Sequence, residues 1–177
     1  MPNSKKEAIL NFAEREMRRG GFDAVSFRDI ASAVGIKSAS VHYHFPTKAD
    51  LGQAVAKRYT DRFIKGLGPS SDPNDTTKDR IERLADAYLL SFQQERSTCL
   101  CTVLGSVLEH LPEETTGEIR SFYDRLLSWV AKALGNTPTS LTANSTVSTL
   151  QGAMVLAIAR DNETPLRDAR ALLLSAL

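Results

Sequence analysis

The densest set of chemically capable side chains lies between Ser38 and His44, where SASVHYH carries hydroxyl, imidazole and phenol groups on consecutive turns. On a short helix Val41 and Phe45, four apart, share an inner face, which leaves Ser38, Ala39, Ser40, His42 and Tyr43 mostly outward. That face is small, polar and aromatic. Small hydroxylic residues let a helix approach a groove closely, and rings and hydroxyls hydrogen-bond or pack on base edges. Metal chemistry is disfavoured by geometry: alternate residues on a helix point about 200° apart, so His42 and His44 do not share an ion.

Other reactive groups form no constellation. Cys99 and Cys101 lie two apart in CLC, on different faces of a helix, and are not a redox CxxC pair. They are expected as buried thiols, with thiol sensing as the alternative. Glu109 and His110 are neighbours that face apart, and Asp161 and Glu163 fall in an expected loop. A nucleophile with its base, paired carboxylates, a phosphate-cradling loop and a metal cluster are all missing from the sequence. No enzymatic activity, cofactor or metal is expected.

The elements around Ser38 to His44 are built to hold it. Phe27, Ile30, Ala31 and Val34 recur at helical spacing, Ser26 is the natural N-cap, and Gly35 ends that helix where a left-handed residue is cheap. A second helix begins at Lys37 or Ser38. Pro46 cannot continue it, and Thr47 caps a further helix beginning Lys48, Ala49, Asp50. Two helices joined by about four residues are the arrangement that places a second helix in a DNA major groove. An earlier helix, Lys5 to Arg19, is expected to present Ile9, Phe12, Ala13 and Met17 inward and to end at Gly20-Gly21. Phe22, Val25, Phe27, Val41 and Phe45 then complete a small core.

The string GIKSASVHYHFPTKADL, with Ser26, Phe27, Ile30 and Ala31 ahead of it, resembles the DNA-binding signature of the TetR/AcrR transcriptional repressors over residues 5 to 65. Its PTKADL end is similar to the family's junction between recognition helix and linker helix. Lys37 departs from the pattern, since many members have Ser or Thr there. The resemblance implies an all-α fold: an N-terminal three-helix helix-turn-helix domain, residues 1–47, then a linker helix and C-terminal helical ligand-binding and dimerisation domain, residues 48–177. It implies a homodimer on palindromic double-stranded DNA, released by a small-molecule effector. Carried onto this chain, DNA contact falls to Ser26, Arg28, Lys37, Ser38, Ala39, Ser40, His42, Tyr43, His44 and Lys48.

Charge is divided accordingly. Residues 1–65 hold 12 Lys plus Arg against 7 Asp plus Glu, whereas residues 66–177 hold 10 against 14, so a net +1 hides +5 followed by −4. The basic excess lies where a phosphate backbone would be, with Lys5, Lys6, Arg28, Lys37 and Lys48 as its expected contacts. Solvated surface is the plain alternative for any one of them. No apolar run approaches the roughly 20 residues of a membrane span, and the polar start MPNSKKEAIL lacks a signal-peptide core, so no membrane partner and a cytoplasmic location are expected.

The remaining pattern is helical. Leu51, Val55, Tyr59 and Phe63 stripe a helix from Lys48 to about Gly66, and GLGPSSDPNDTT reads as a loop. Ile81, Leu84, Ala85, Tyr88, Leu89 and Phe92 mark the next helix; Cys99 to Leu111 is expected as one apolar helix closed by Pro112, and Glu113 to Leu134 as another. From about Leu141 to Arg160 the chain is apolar nearly all round after Val147, which calls for a second packing surface. Pro165 opens a last helix. The resemblance assigns dimerisation to these two helices, through Val155, Leu166 and Leu173, with purely internal packing as the alternative. It likewise implies a pocket lined by Phe63, Tyr88, Phe92, Leu104, Leu126, Trp129, Gln151 and Met154, each of which could equally be core. A mostly apolar lining points to a hydrophobic or aromatic effector. The competing function, a helical protein-interaction adaptor without operator binding, leaves the basic reading face unexplained.

Overall fold

Side-chain caps at Ser26, Thr47, Thr76 and Thr142 start four of the helices in the computed structural model, which describes residues 5–177 and contains no strand among them. Helix α1 is Lys5–Gly20, followed by a 3-10 turn at Phe22–Ala24. Helices α2, Phe27–Val34, and α3, Ser38–His44, come next, then α4, Lys48–Leu67, and α5, Thr77–Glu95. The rest comprises α6, Leu100–Gly105, a 3-10 turn at Leu108–His110, α7, Glu113–Leu134, α8, Ala143–Ala159, and α9, Thr164–Ser175. Reciprocal capping boxes start α5 at Thr76 with Asp79 and α8 at Thr142 with Ser145. Pro165 occupies the first turn of α9. Met1 to Ser4, part of the polar start read for a signal peptide, lies outside the described residues.

Cys99 to Leu111 is not one helix. After Gly105 the Ser106 hydroxyl donates back to the Val103 carbonyl at 2.8 Å, and the Val107 amide bonds the Leu104 carbonyl at 3.2 Å. This tighter i to i+3 closure ends α6 after six residues and leads into the 3-10 turn.

The described chain forms two compact units, one holding residues up to Asp61 together with Leu100–Phe122, the other Arg62–Cys99 with Tyr123–Leu177. In the first, Ile9, Ala13 and Met17 of α1 are buried, as are Ile30, Val41, Phe45, Leu51 and Val55. Leu10 is buried there, whereas Phe12, expected inward, is half-buried with the Arg15 guanidinium 5.1 Å from its ring centre. Gly52 permits a close approach: a methyl there would lie 2.6 Å from the Phe22 ring and 2.7 Å from Thr115 Oγ1. Arg58 ties α4 to α1, its Nη1 donating to Glu7 at 2.9 Å and to Asn11 at 2.8 Å, and its Nη2 to buried Glu14 at 2.9 Å.

The second unit is built from α5, α8 and α9 with parts of α4 and α7. Leu84, Tyr88, Phe92, Leu126, Leu150 and Met154 fill its interior. Arg170 of α9 pairs with Glu82 and Asp86 of α5, and the indole of Trp129 donates to the Gly68 carbonyl at 2.8 Å. Leu166 and Leu173, expected at a dimer interface, are 2% and 1% exposed and belong to this interior instead. They lie on the face of α9 that its own chain covers, and the apolar side chains left outward on α8 and α9 are Val155, Leu156 and Leu172. No helix among the described residues is long and apolar enough to cross a membrane.

Candidate nucleic-acid interface

The reading surface is held from both ends. The Ser26 hydroxyl accepts from the Asp29 amide at 3.2 Å and donates to the Asp29 carboxylate at 2.5 Å, fixing the start of α2. Gly35 ends that helix with φ 72°, a left-handed conformation that glycine adopts at least cost, and the Ile36 amide returns to the Ala31 carbonyl at 3.0 Å. Lys37 takes the N-cap position of α3 in extended conformation and supplies no capping side chain. The helix starts at Ser38 all the same, and its first turn lacks the side-chain cap that Ser or Thr would supply.

Within α3, Val41 is wholly buried, and Phe45 anchors the far end through its amide, 2.9 Å from the Val41 carbonyl. Subtracting these anchors leaves the outer face. Ser38, Ala39, His42 and Tyr43 are exposed, as are Ser26, Arg28 and Lys37, while Ser40, His44 and Lys48 are half-buried. Tyr43 is 84% exposed, which leaves its hydroxyl and most of its ring open to solvent. The two histidines are engaged separately: the His42 ring meets Phe27 edge-on at 4.6 Å, and the His44 ring meets Tyr43 at 5.3 Å.

Beyond α3, Thr47 and Asp50 form the expected cap. The Asp50 amide donates to Thr47 Oγ1 at 3.1 Å, and the Thr47 amide donates to the Asp50 carboxylate at 2.9 Å. Lys48 is already engaged: its ammonium lies 2.8 Å from Asp23 Oδ1 and 4.6 Å from the centre of the Phe22 ring. The Lys48 hydrogen bond, reinforced by its charge, holds the Asp23 carboxyl below its ordinary value of 3.8. Asp23 carries no sequence signal for this role, because it sits 25 residues from its partner in an unremarkable turn. The Lys6 ammonium lies 5.7 Å from the centre of the Phe45 ring.

The residues expected around a pocket are mostly packed together. Leu104 belongs to the first unit and the other seven to the second. Phe63 and Tyr88 meet edge-on at 5.7 Å, and the Gln151 amide donates to the Tyr88 hydroxyl at 3.0 Å in buried surroundings. Gln151 also lines a cleft of 270 Å³ with Tyr123, Leu127, Asn144, Val147 and Ser148. Both cysteines are buried, and neither is in a disulfide.

Comparison with known proteins gives this geometry its relatives. Residues 9–55 match the family described as bacterial regulatory proteins, tetR family. The HTH-type transcriptional repressor KstR2 of Mycolicibacterium smegmatis is 28% identical over 92 residues, 52% of this chain, and the match spans only 43% of that curated relative's length. Among solved structures, a TetR transcriptional regulator from Legionella pneumophila is 32% identical with a TM-score of 0.88, covering 97% of this chain and 96% of its own. A TetR-family regulator from Agrobacterium tumefaciens is 25% identical with a TM-score of 0.85, over 99% and 98% of the two chains. With identity at this level running through nearly the whole length of both chains, and the capped helix-turn-helix inside the matched region, the chain belongs to the TetR family of transcriptional regulators, which are not enzymes.

Proposed function

We propose that the chain is a homodimeric repressor that reads a palindromic operator with α3 and is released by a small hydrophobic or aromatic effector. The observation that carries the reading is the exposed face of α3, Ser38 to Tyr43, on a helix whose inner side is locked by Val41 and Phe45. The repressor names of relatives such as KstR2 support the direction of regulation. In this reading residues 1–47 are the DNA-binding domain. Ser38, Ala39, Ser40, His42 and Tyr43 face base edges, and Ser26, Arg28, Lys37, His44 and Lys48 face phosphates.

Dimerisation is assigned to the outward apolar side chains Val155, Leu156 and Leu172 of α8 and α9. It sets two reading helices about 34 Å apart, one turn of duplex. An effector held among Phe63, Tyr88, Phe92, Leu126, Trp129, Gln151 and Met154 has to open packed space, with the Tyr88 and Gln151 pair as its polar handle. It favours an arrangement of α4 in which the heads are out of register, and by linkage DNA weakens the effector by the same factor.

The test is selection of genomic fragments by the purified chain, followed by footprinting at low and physiological salt. Enriched palindromes with a steep salt dependence are expected, and Lys48→Ala should shallow the slope of log K against log salt by about one. A dimeric, ligand-free protein that enriches no fragment would replace this reading with the protein-interaction adaptor.

A further inference from the structure

Within the first unit a cleft of 360 Å³ opens where the end of α1 and the turn after it meet α6 and the Leu108–His110 turn. The volume lies in the range of small-molecule sites, about 300–1,000 Å³. Phe22, Val103, Val107 and Leu111 supply its apolar lining, and Val107 is held open to solvent. Gly21 contributes backbone alone, and a methyl added there would meet nothing within 4 Å. The polar corner is Asp23, whose carboxylate is 91% exposed. A carboxylate beside an aromatic face is a recognition site for organic cations, and here the chain's own Lys48 satisfies both groups, 2.8 Å from Asp23 and 4.6 Å from the Phe22 ring centre.

We propose that this cleft binds a small organic cation, an ammonium or amidinium on a compact aromatic or aliphatic body, whose charged group replaces Lys48 on Asp23 and Phe22. The body covers Val103, Val107 and Leu111. Arg19 and His110 also line the cleft; Arg19 pairs with Glu16 at 3.7 Å, while Glu109, expected to face away from His110, lies 3.6 Å from its ring, and His110 also acts on the Asp23 carboxylate. Lys48 stays tethered to α4 after displacement, so the bound cation adds one positive charge beside Arg19, which its contacts with Asp23 and the Phe22 face have to offset. The consequence for DNA rests on the operator-binding reading: the displaced Lys48 becomes free for a phosphate, so this ligand strengthens DNA binding where the effector of the second unit weakens it. Because the Lys48 and Asp23 pair is solvent-exposed, the gain is modest, about two- to fivefold.

The experiment titrates the full chain by calorimetry with 1-naphthylmethylamine, with neutral 1-naphthylmethanol and with 1-naphthoate. The wild type should prefer the amine to the alcohol by at least about fivefold. Asp23→Asn should lose that preference, and Val107→Trp, which fills the cleft from an exposed position, should lose both ligands. Equal affinity for amine and alcohol, a preference for the carboxylate, or an amine preference that survives Asp23→Asn overturns the site. In a second arm, saturating amine should raise wild-type affinity for a duplex about two- to fivefold, and Asp23→Asn should show that gain without amine. Amine binding that leaves duplex affinity unchanged overturns the Lys48 exchange. Absence of any duplex binding by the ligand-free protein overturns the operator reading, and the calorimetric arm then decides the cleft by itself.

Discussion

The reading head and the second unit carry their candidate functional groups on opposite sides of the same physical boundary. In the head, Tyr43, His42 and Ser38 stand outside a core made by Val41, Phe45 and Ile30. In the second unit, Tyr88, Phe92, Leu126 and Met154 are the core. A surface site is what remains after the packing residues are subtracted, and hydrophobic spacing performs that subtraction from sequence. An interior site is drawn from the packing residues themselves. Periodicity therefore identifies Tyr43 as available and leaves Tyr88 undecided between wall and filler.

The sharpest way to break that contrast is charge on α9. Leu173→Glu should cost about 4 kcal/mol or more by buried-charge desolvation, unfolding the second unit in urea at lower concentration. Leu172, one residue away but 60% exposed, should behave differently. Val155→Glu combined with Leu172→Glu should retain its helical circular dichroism, become monomeric by light scattering and lose operator binding. A charged pair that stays dimeric removes this face from the interface. Tyr43→Ala should change stability by no more than about 0.5 kcal/mol while costing about 1–3 kcal/mol of operator affinity, unevenly across operator sequences. Comparable losses on all duplexes would make Tyr43 a backbone contact.

Smaller effects sharpen the head's side of the comparison. Ser26→Ala removes the α2 cap and should lower unfolding free energy by about 1 kcal/mol, read by chemical denaturation. Asp23 should titrate below 3.8 when followed by its carboxyl carbon resonance, and Lys48→Ala should move the midpoint up toward that value. Since the folded carboxyl is depressed, whatever the pair contributes is present above the unfolded value and is lost as pH falls through the folded one. Stability near neutral pH should not respond.

Helix content and boundaries were legible because they rest on local chemistry. Ser26, Gly35, Thr47, Gly135 and Pro165 each mark an end that backbone geometry or a missing amide enforces within a few residues. The exception, Cys99 to Leu111, failed for an equally local reason, since Ser106 competes for a carbonyl in a run whose apolar pattern alone looks continuous. Glu14 shows the limit of pattern reading. A carboxylate on α1 looks like solvated surface, yet it is buried against Arg58, a partner 44 residues away. Asp23 with Lys48 is the same case at the surface.

By itself, then, the sequence determined that this is an all-helical chain with a capped, basic, helix-turn-helix reader, because caps, periodicity and charge are properties of neighbouring residues. Tertiary structure alone decided which of two apolar faces on α9 is spent inside the unit, that Leu166 and Leu173 are core while Leu172 is outward, and that Lys48 meets Asp23 and Phe22 beside an open cleft. Those outcomes depend on how helices distant in sequence pack, and a helical stripe records that a face is buried without recording what buries it.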